Sequence, residues 1–133
     1  MTVRQVVVDH VLFVVADLQQ ARQFYEAALA PLGFRVMYEQ GDCVSFGLDK
    51  ADDFAICQGD EAPTTKAHVA FVAESREAVD AFFQAAMANG GREKHRPSLR
   101  PEYHPGYYGA FVLDPHDNSV EAVHHGPHEQ PGS

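Results

Sequence analysis

The sequence predicts an α+β fold of two βαβββ modules from an internal duplication, with sheets curling into an open cleft. Three observations carry this. First, the chain repeats itself. Slid by 58 residues, HVLFVVADLQQARQFYEAALAPLGF (10–34) lies without a gap over HVAFVAESREAVDAFFQAAMANGGR (68–92), with 9 identities in 25 positions. Second, each copy opens on a strand rich in valine and phenylalanine and runs on into a helix with one apolar face. Third, each helix is followed by short stretches with strand character.

Each element has a local reason. Asp17 is a good N-cap for the first helix, with Gln20 at the capping-box position. Leu18, Ala21, Phe24, Tyr25, Ala28 and Leu32 recur at helical spacing, and Gly33 supplies the stop. The second helix starts near Ser75 and ends at Asn-Gly-Gly. Strands are expected at about 34–39, 43–48 and 53–58 in module one and about 91–95, 107–113 and 118–124 in module two. Asp114-Pro115-His116-Asp117-Asn118 is turn chemistry between the last two. FGLDKADDFAIC (46–57) lies over FVLDPHDNSVEA (111–122) at an offset of 65, so the second copy carries seven extra residues. A four-stranded sheet with a helix on one face leaves its other face to be covered, and two such faces enclose a cleft.

The 133 residues suggest one domain over 1–126, with module one at about 5–60, module two at about 65–126 and a disordered tail over 127–133. The net charge of −9 argues against nucleic acid and anionic membrane as partners. No apolar run approaches the roughly 20 residues that span a bilayer, and the N-terminus lacks a secretory h-region. Cys43 and Cys57 form no metal or redox motif by spacing. Two free thiols in a cytoplasmic protein are the simplest reading, with a disulfide between them the alternative.

The duplication puts His10 and His68 at equivalent places on the first strand of each module. A lone histidine on an apolar face is more often a core residue than a ligand, but pseudo-symmetry would bring these two together. Glu121 alternates with Val120 and Ala122 on the last strand, and joins His68 if that strand neighbours strand one. Two imidazoles and one carboxylate leave open positions on a divalent metal, with Fe, Mn, Ni, Co and Zn all chemically possible.

DHVLFVVADLQQARQFYEAALAPLGF, AHVAFV and GYYGAFVLDPHDNSVEAV resemble the vicinal oxygen chelate superfamily over about 5–126, most specifically in F-x-x-D-P-x-x-N-x-x-E. The group includes glyoxalase I, extradiol dioxygenases, fosfomycin-resistance transferases and bleomycin-resistance proteins. The resemblance implies paired βαβββ modules, frequently a homodimer, and one divalent metal held by His10, His68 and Glu121. It implies an enzyme that binds a small substrate through adjacent oxygens, for a ring-cleaving oxygenation or a lyase or isomerase step. A non-catalytic sequestering protein and a thiol transferase are the alternatives. Glyoxalase I has a fourth ligand in module one, but the internal alignment sets Ile56 against Glu121, with Gln58 a weak substitute. Modules pair within the chain or swap between subunits.

The inserted segment GREKHRPSLRPEYHPGYYGAF is rich in Pro, Arg, His and Tyr, unlike the acidic remainder, and is expected to wall the cleft. His104, Tyr108 and Tyr103 are the candidate catalytic residues, and Arg100, Tyr107 and His125 the candidate substrate-binding ones. The substrate is expected to be small, and anionic or aromatic. His95, His116 and His128 are expected at the surface.

Overall fold

Residues 7–126 are described by a computed structural model. The expected tail, and His128 within it, lie outside the described residues. Module one comprises β1 (Val11–Val15), α1 (Leu18–Leu29), a 3-10 turn (Ala30–Leu32), β2 (Arg35–Gln40), β3 (Cys43–Gly47) and β4 (Phe54–Gln58). Module two comprises β5 (His68–Val72), α2 (Arg76–Ala88), β6 (Arg92–Leu99), β7 (Tyr108–Leu113) and β8 (Ser119–His124). The strand orders are β1-β4-β3-β2 and β5-β8-β7-β6, so the duplication holds at the level of topology. In each sheet the first strand runs parallel to the last, which seats β8 beside β5.

The helices form where the side chains prescribe them. The Asp17 carboxylate accepts from the Gln20 amide at 3.1 Å, and the Ser75 hydroxyl from the Ala78 amide at 3.1 Å. Gly33 closes the 3-10 turn at φ 89°, where a Cβ is disfavoured. Ala21, Phe24, Tyr25, Ala28 and Leu29 of α1, and Val79, Phe82, Phe83 and Ala86 of α2, are buried. They join one continuous core with Phe13, Val15, Phe46, Phe54, Ile56, Phe71, Val112 and Val120. Phe71 bridges the modules, packing edge-on against Phe34 and Phe54 at 5.3 and 5.5 Å. The modules of one chain therefore meet through their helix sides, where α1 contacts α2. The opposite sheet faces are only partly covered: Leu12 is 48%, Tyr38 55% and Val72 68% exposed, while Ser119 and Glu121 are buried.

The Asp114–Asn118 turn ties the modules together. The buried Asp114 carboxylate accepts from the Tyr25 hydroxyl of α1 and from the amides of His116 (2.8 Å) and Asn118 (2.9 Å). Burial, then the charge of Asp114, pushes the Tyr25 phenol well above its ordinary pKa. The Asn118 side chain accepts from Ala67 N and donates to Thr64 O, fixing the linker between modules. His116, expected at the surface, instead accepts from Ala16 N at 3.3 Å through Nε2.

Three expectations are corrected. β6 extends to Leu99, four residues past the expected end, and takes Pro97 into a strand. β6 is an edge strand with irregular register on both sides of His95, where a missing N–H is tolerated. The free-thiol reading fails, because Cys43 and Cys57 are directly opposed on β3 and β4 and form a disulfide. The support that free thiols gave to a cytoplasmic location goes with it. Among the described residues, no helix is long and apolar enough to cross a membrane. With 14 residues of sequence separation, loop-closure entropy gives this bond about 3 kcal/mol. Chemical unfolding with and without a phosphine reductant is expected to show a loss of that size; equal stability in both states would contradict it.

The third correction concerns Ile56. Leu12 pairs with Ala55 on β4, and the equivalent Ala70 pairs with Glu121 on β8. The true counterpart of Glu121 is therefore Ala55, not Ile56. The matched F-x-L-D letters had aligned the copies one residue out, and one residue flips the face of a strand. Ile56 is fully buried against the helices. Gln58 lies on that side too, where its carbonyl caps Leu18 N at 2.8 Å, so it is no substitute ligand. The conclusion drawn from Ile56 survives on different grounds, since alanine cannot bind metal either.

Candidate active-site cleft

The open face of sheet two carries the chemistry. Strand alternation sends Val69, Phe71, Val120 and Ala122 to the core and His68, Ser119 and Glu121 to the other face. The His68 Nε2 donates to Glu121 Oε1 at 3.0 Å. A carboxylate only accepts, so Nε2 carries a proton, and Nδ1 lies 2.8 Å from the Ser119 hydroxyl. The Lys94 ammonium donates to the same hydroxyl at 3.3 Å. On the other side, the Tyr107 hydroxyl donates to Glu121 Oε2. Partial burial, then the bond to Glu121, raises the Tyr107 phenol above its ordinary range. Glu121 is only 2% exposed, a buried carboxylate held by an imidazole and a phenol.

Gly109 makes room for this arrangement. A Cβ there would stand 3.2 Å from the Tyr107 ring and 3.3 Å from Glu121 Oε2. A cavity of about 500 Å3 opens over the pair, lined by His68, Lys94, His95, Tyr103, Tyr107, Phe111 and Glu121. Phe111 is its hub, with His68, His95 and the Arg100 guanidinium 5.9, 5.4 and 5.3 Å from its ring.

The expected residues divide. His68, Glu121, Tyr107 and Tyr103 line the cavity, and Arg100 approaches it over Phe111 while pairing with Glu102 at 3.4 Å. His104 and His125 stack on each other beside Tyr107, joined Nε2 to Nδ1 at 2.9 Å, at the cavity's edge. Tyr108, the first residue of β7, points away from the cavity toward α2. Its hydroxyl donates to Asp80 of α2 at 2.7 Å, and burial and that bond push it up to about 12. His10 stays apart from His68 and Glu121, exposed before β1 beside Asp9. Among the described residues, no three His, Cys, Asp or Glu side chains converge as a metal site within one chain.

Three cavity residues, and Ser119 that touches His68, went unread as site residues in the sequence. His95, expected at the surface, is exposed and also lines the cavity. Lys94 was visible only within the basic run from Arg92 to Arg100. Ser119 and Phe111 carried no signal beyond strand alternation.

The fold agrees with the comparisons. The Glyoxalase/Bleomycin resistance protein/Dioxygenase superfamily model matches residues 7–122. A glyoxalase/bleomycin resistance protein from Albidiferax ferrireducens is 30% identical, with a TM-score of 0.76 over 87% of this chain and 96% of that one. An E144Q glyoxalase I mutant from Zea mays shares the fold at 21% identity and TM-score 0.66, over 87% of this chain and 46% of that one. No curated protein matches the sequence. The chain belongs to the glyoxalase/bleomycin resistance/dioxygenase superfamily.

Proposed function

We propose that the protein is a divalent-metal-dependent enzyme acting on a small substrate bound through adjacent oxygens. The observation that carries this is the buried Glu121 carboxylate aimed at His68 Nε2 inside a cavity. The donor set fits a metal. An imidazole and a carboxylate converge, and Ser119 on Nδ1 orients the ring in the manner of an outer-shell partner. His68 and Glu121 of one subunit would hold Fe, Mn, Ni, Co or Zn together with His10 of a second copy. The exposed apolar side chains Leu12, Tyr38 and Val72 on the open faces of the two sheets support that swapped homodimer, since a second copy would lay its module one over module two. The metal, when bound, supplies Lewis acidity toward an enolate, catecholate or oxyanion.

The chain's own groups do the rest. Tyr107 holds Glu121 in place and, with Tyr103 and Phe111, gives the substrate an aromatic wall. The His104–His125 pair can exchange a proton with groups at the cavity's edge. The reaction is a ring-cleaving oxygenation or a lyase or isomerase step. A second reading, binding without turnover, is favoured by the aromatic lining. Metal analysis of protein purified without chelator separates them. The enzyme reading expects about one divalent ion per chain and a higher melting temperature on metal addition. Absence of both would overturn it in favour of the binding module.

A further inference from the structure

Within the basic run from Arg92 to Arg100, Lys94 is the cation that the fold leaves without an acid. The other three members of its basic run are each paired: Arg92 with Asp117, Arg96 with Glu93 at 3.2 Å and Arg100 with Glu102. Among the described residues, Lys94 has no ion pair, and the cavity's one acid, Glu121, is engaged by His68 and Tyr107. The placement is built. Strict alternation would send Lys94 and His95 to opposite faces of β6, yet the register shifts between Glu93 and His95 and both line the cavity. The ammonium is anchored on the Ser119 hydroxyl that also touches His68 Nδ1.

An unpaired ammonium one hydroxyl away from a metal-binding imidazole repels a bare cation. It favours the metal only when an anion bridges the two. We propose that Lys94 is a specificity-determining residue that binds an oxyanion of the substrate, so the substrate class is a small acid, carboxylate or phosphonate, and not a neutral carbonyl compound. The inference rests on the metal reading above for the second half of the chelate. His95 lies within the same wall and adds a donor. No proton or electron moves in this step: Lys94 binds and orients.

The test uses the whole protein, Lys94→Gln and Lys94→Arg, each metal-free and zinc-loaded, with binding of oxalate, phosphonoacetate and neutral oxamide measured by calorimetry. Lys94→Gln is expected to weaken the anions about tenfold and leave oxamide unchanged, as for loss of a charge-assisted hydrogen bond. Lys94→Arg is expected to retain most of the anion binding. The anion that loses more identifies carboxylate or phosphonate. Zinc uptake by Lys94→Gln is expected to equal or exceed that of the wild type. If no form takes zinc, the metal reading fails, and the oxalate difference in metal-free protein still decides the role of Lys94. Anion binding that is absent from the wild type, or the same in wild type and Lys94→Gln, overturns the proposal.

Discussion

Replacing Glu121 with glutamine is expected to abolish metal binding while leaving the fold standing. The substitution is nearly isosteric. The amide oxygen keeps the bond from Tyr107, and the amide nitrogen donates to His68 Nε2 once the ring carries its proton on Nδ1 toward Ser119. Unfolding free energy should change by no more than about 1 kcal/mol. Metal affinity should fall by more than about 100-fold, since changes in outer-shell partners alone cost about 10–100-fold. His68→Ala should do the same. Metal titration followed by thermal shift, alongside urea unfolding, reads both quantities. A Glu121→Gln variant that keeps full metal affinity would remove Glu121 from the ligand set.

Asp114→Ala should strike the fold and not the chemistry. The carboxylate is 1% exposed and accepts from Tyr25 OH, two backbone amides and the Asn118 side chain. Alanine strands those donors in a dry interior, and unsatisfied buried groups cost about 1–3 kcal/mol each. An expected loss of about 3–5 kcal/mol is a large share of the stability of such a domain. It would also loosen the joint between α1 and the last hairpin. Urea unfolding checks it; a loss below about 1 kcal/mol would show that the turn is not a joint.

These two residues explain what was readable in the sequence. The motif F-x-x-D-P-x-x-N-x-x-E mixes two jobs. Asp114 and Asn118 serve the junction between modules, and Glu121 serves the cleft. The duplication was plain because the core-facing residues of β1 and α1 recur in β5 and α2, where packing restricts the choice. The module order, both N-caps and the His68–Glu121 pairing followed from it. The open faces were harder. A letter match in FGLD and FVLD slipped β4 by one residue, and only hydrogen-bond register exposed Ala55. The bulge that turns Lys94 and His95 together has no periodicity to announce it. The position of His10 depends on how modules associate, which a repeat does not specify. Within the chain they join by their helix sides, through Phe34, Phe54 and Phe71.

The central proposal is that two chains complete each cleft. Mixing His10→Ala with Glu121→Gln protein, after unfolding and refolding together, tests it directly by metal content. Each variant alone should bind no metal. In the swapped dimer, a mixed pair joins His10 of the Glu121→Gln chain to His68 and Glu121 of the His10→Ala chain, so one of its two clefts is whole. Random pairing then restores about a quarter of the wild-type metal. No recovery in the mixture would contradict the swapped arrangement.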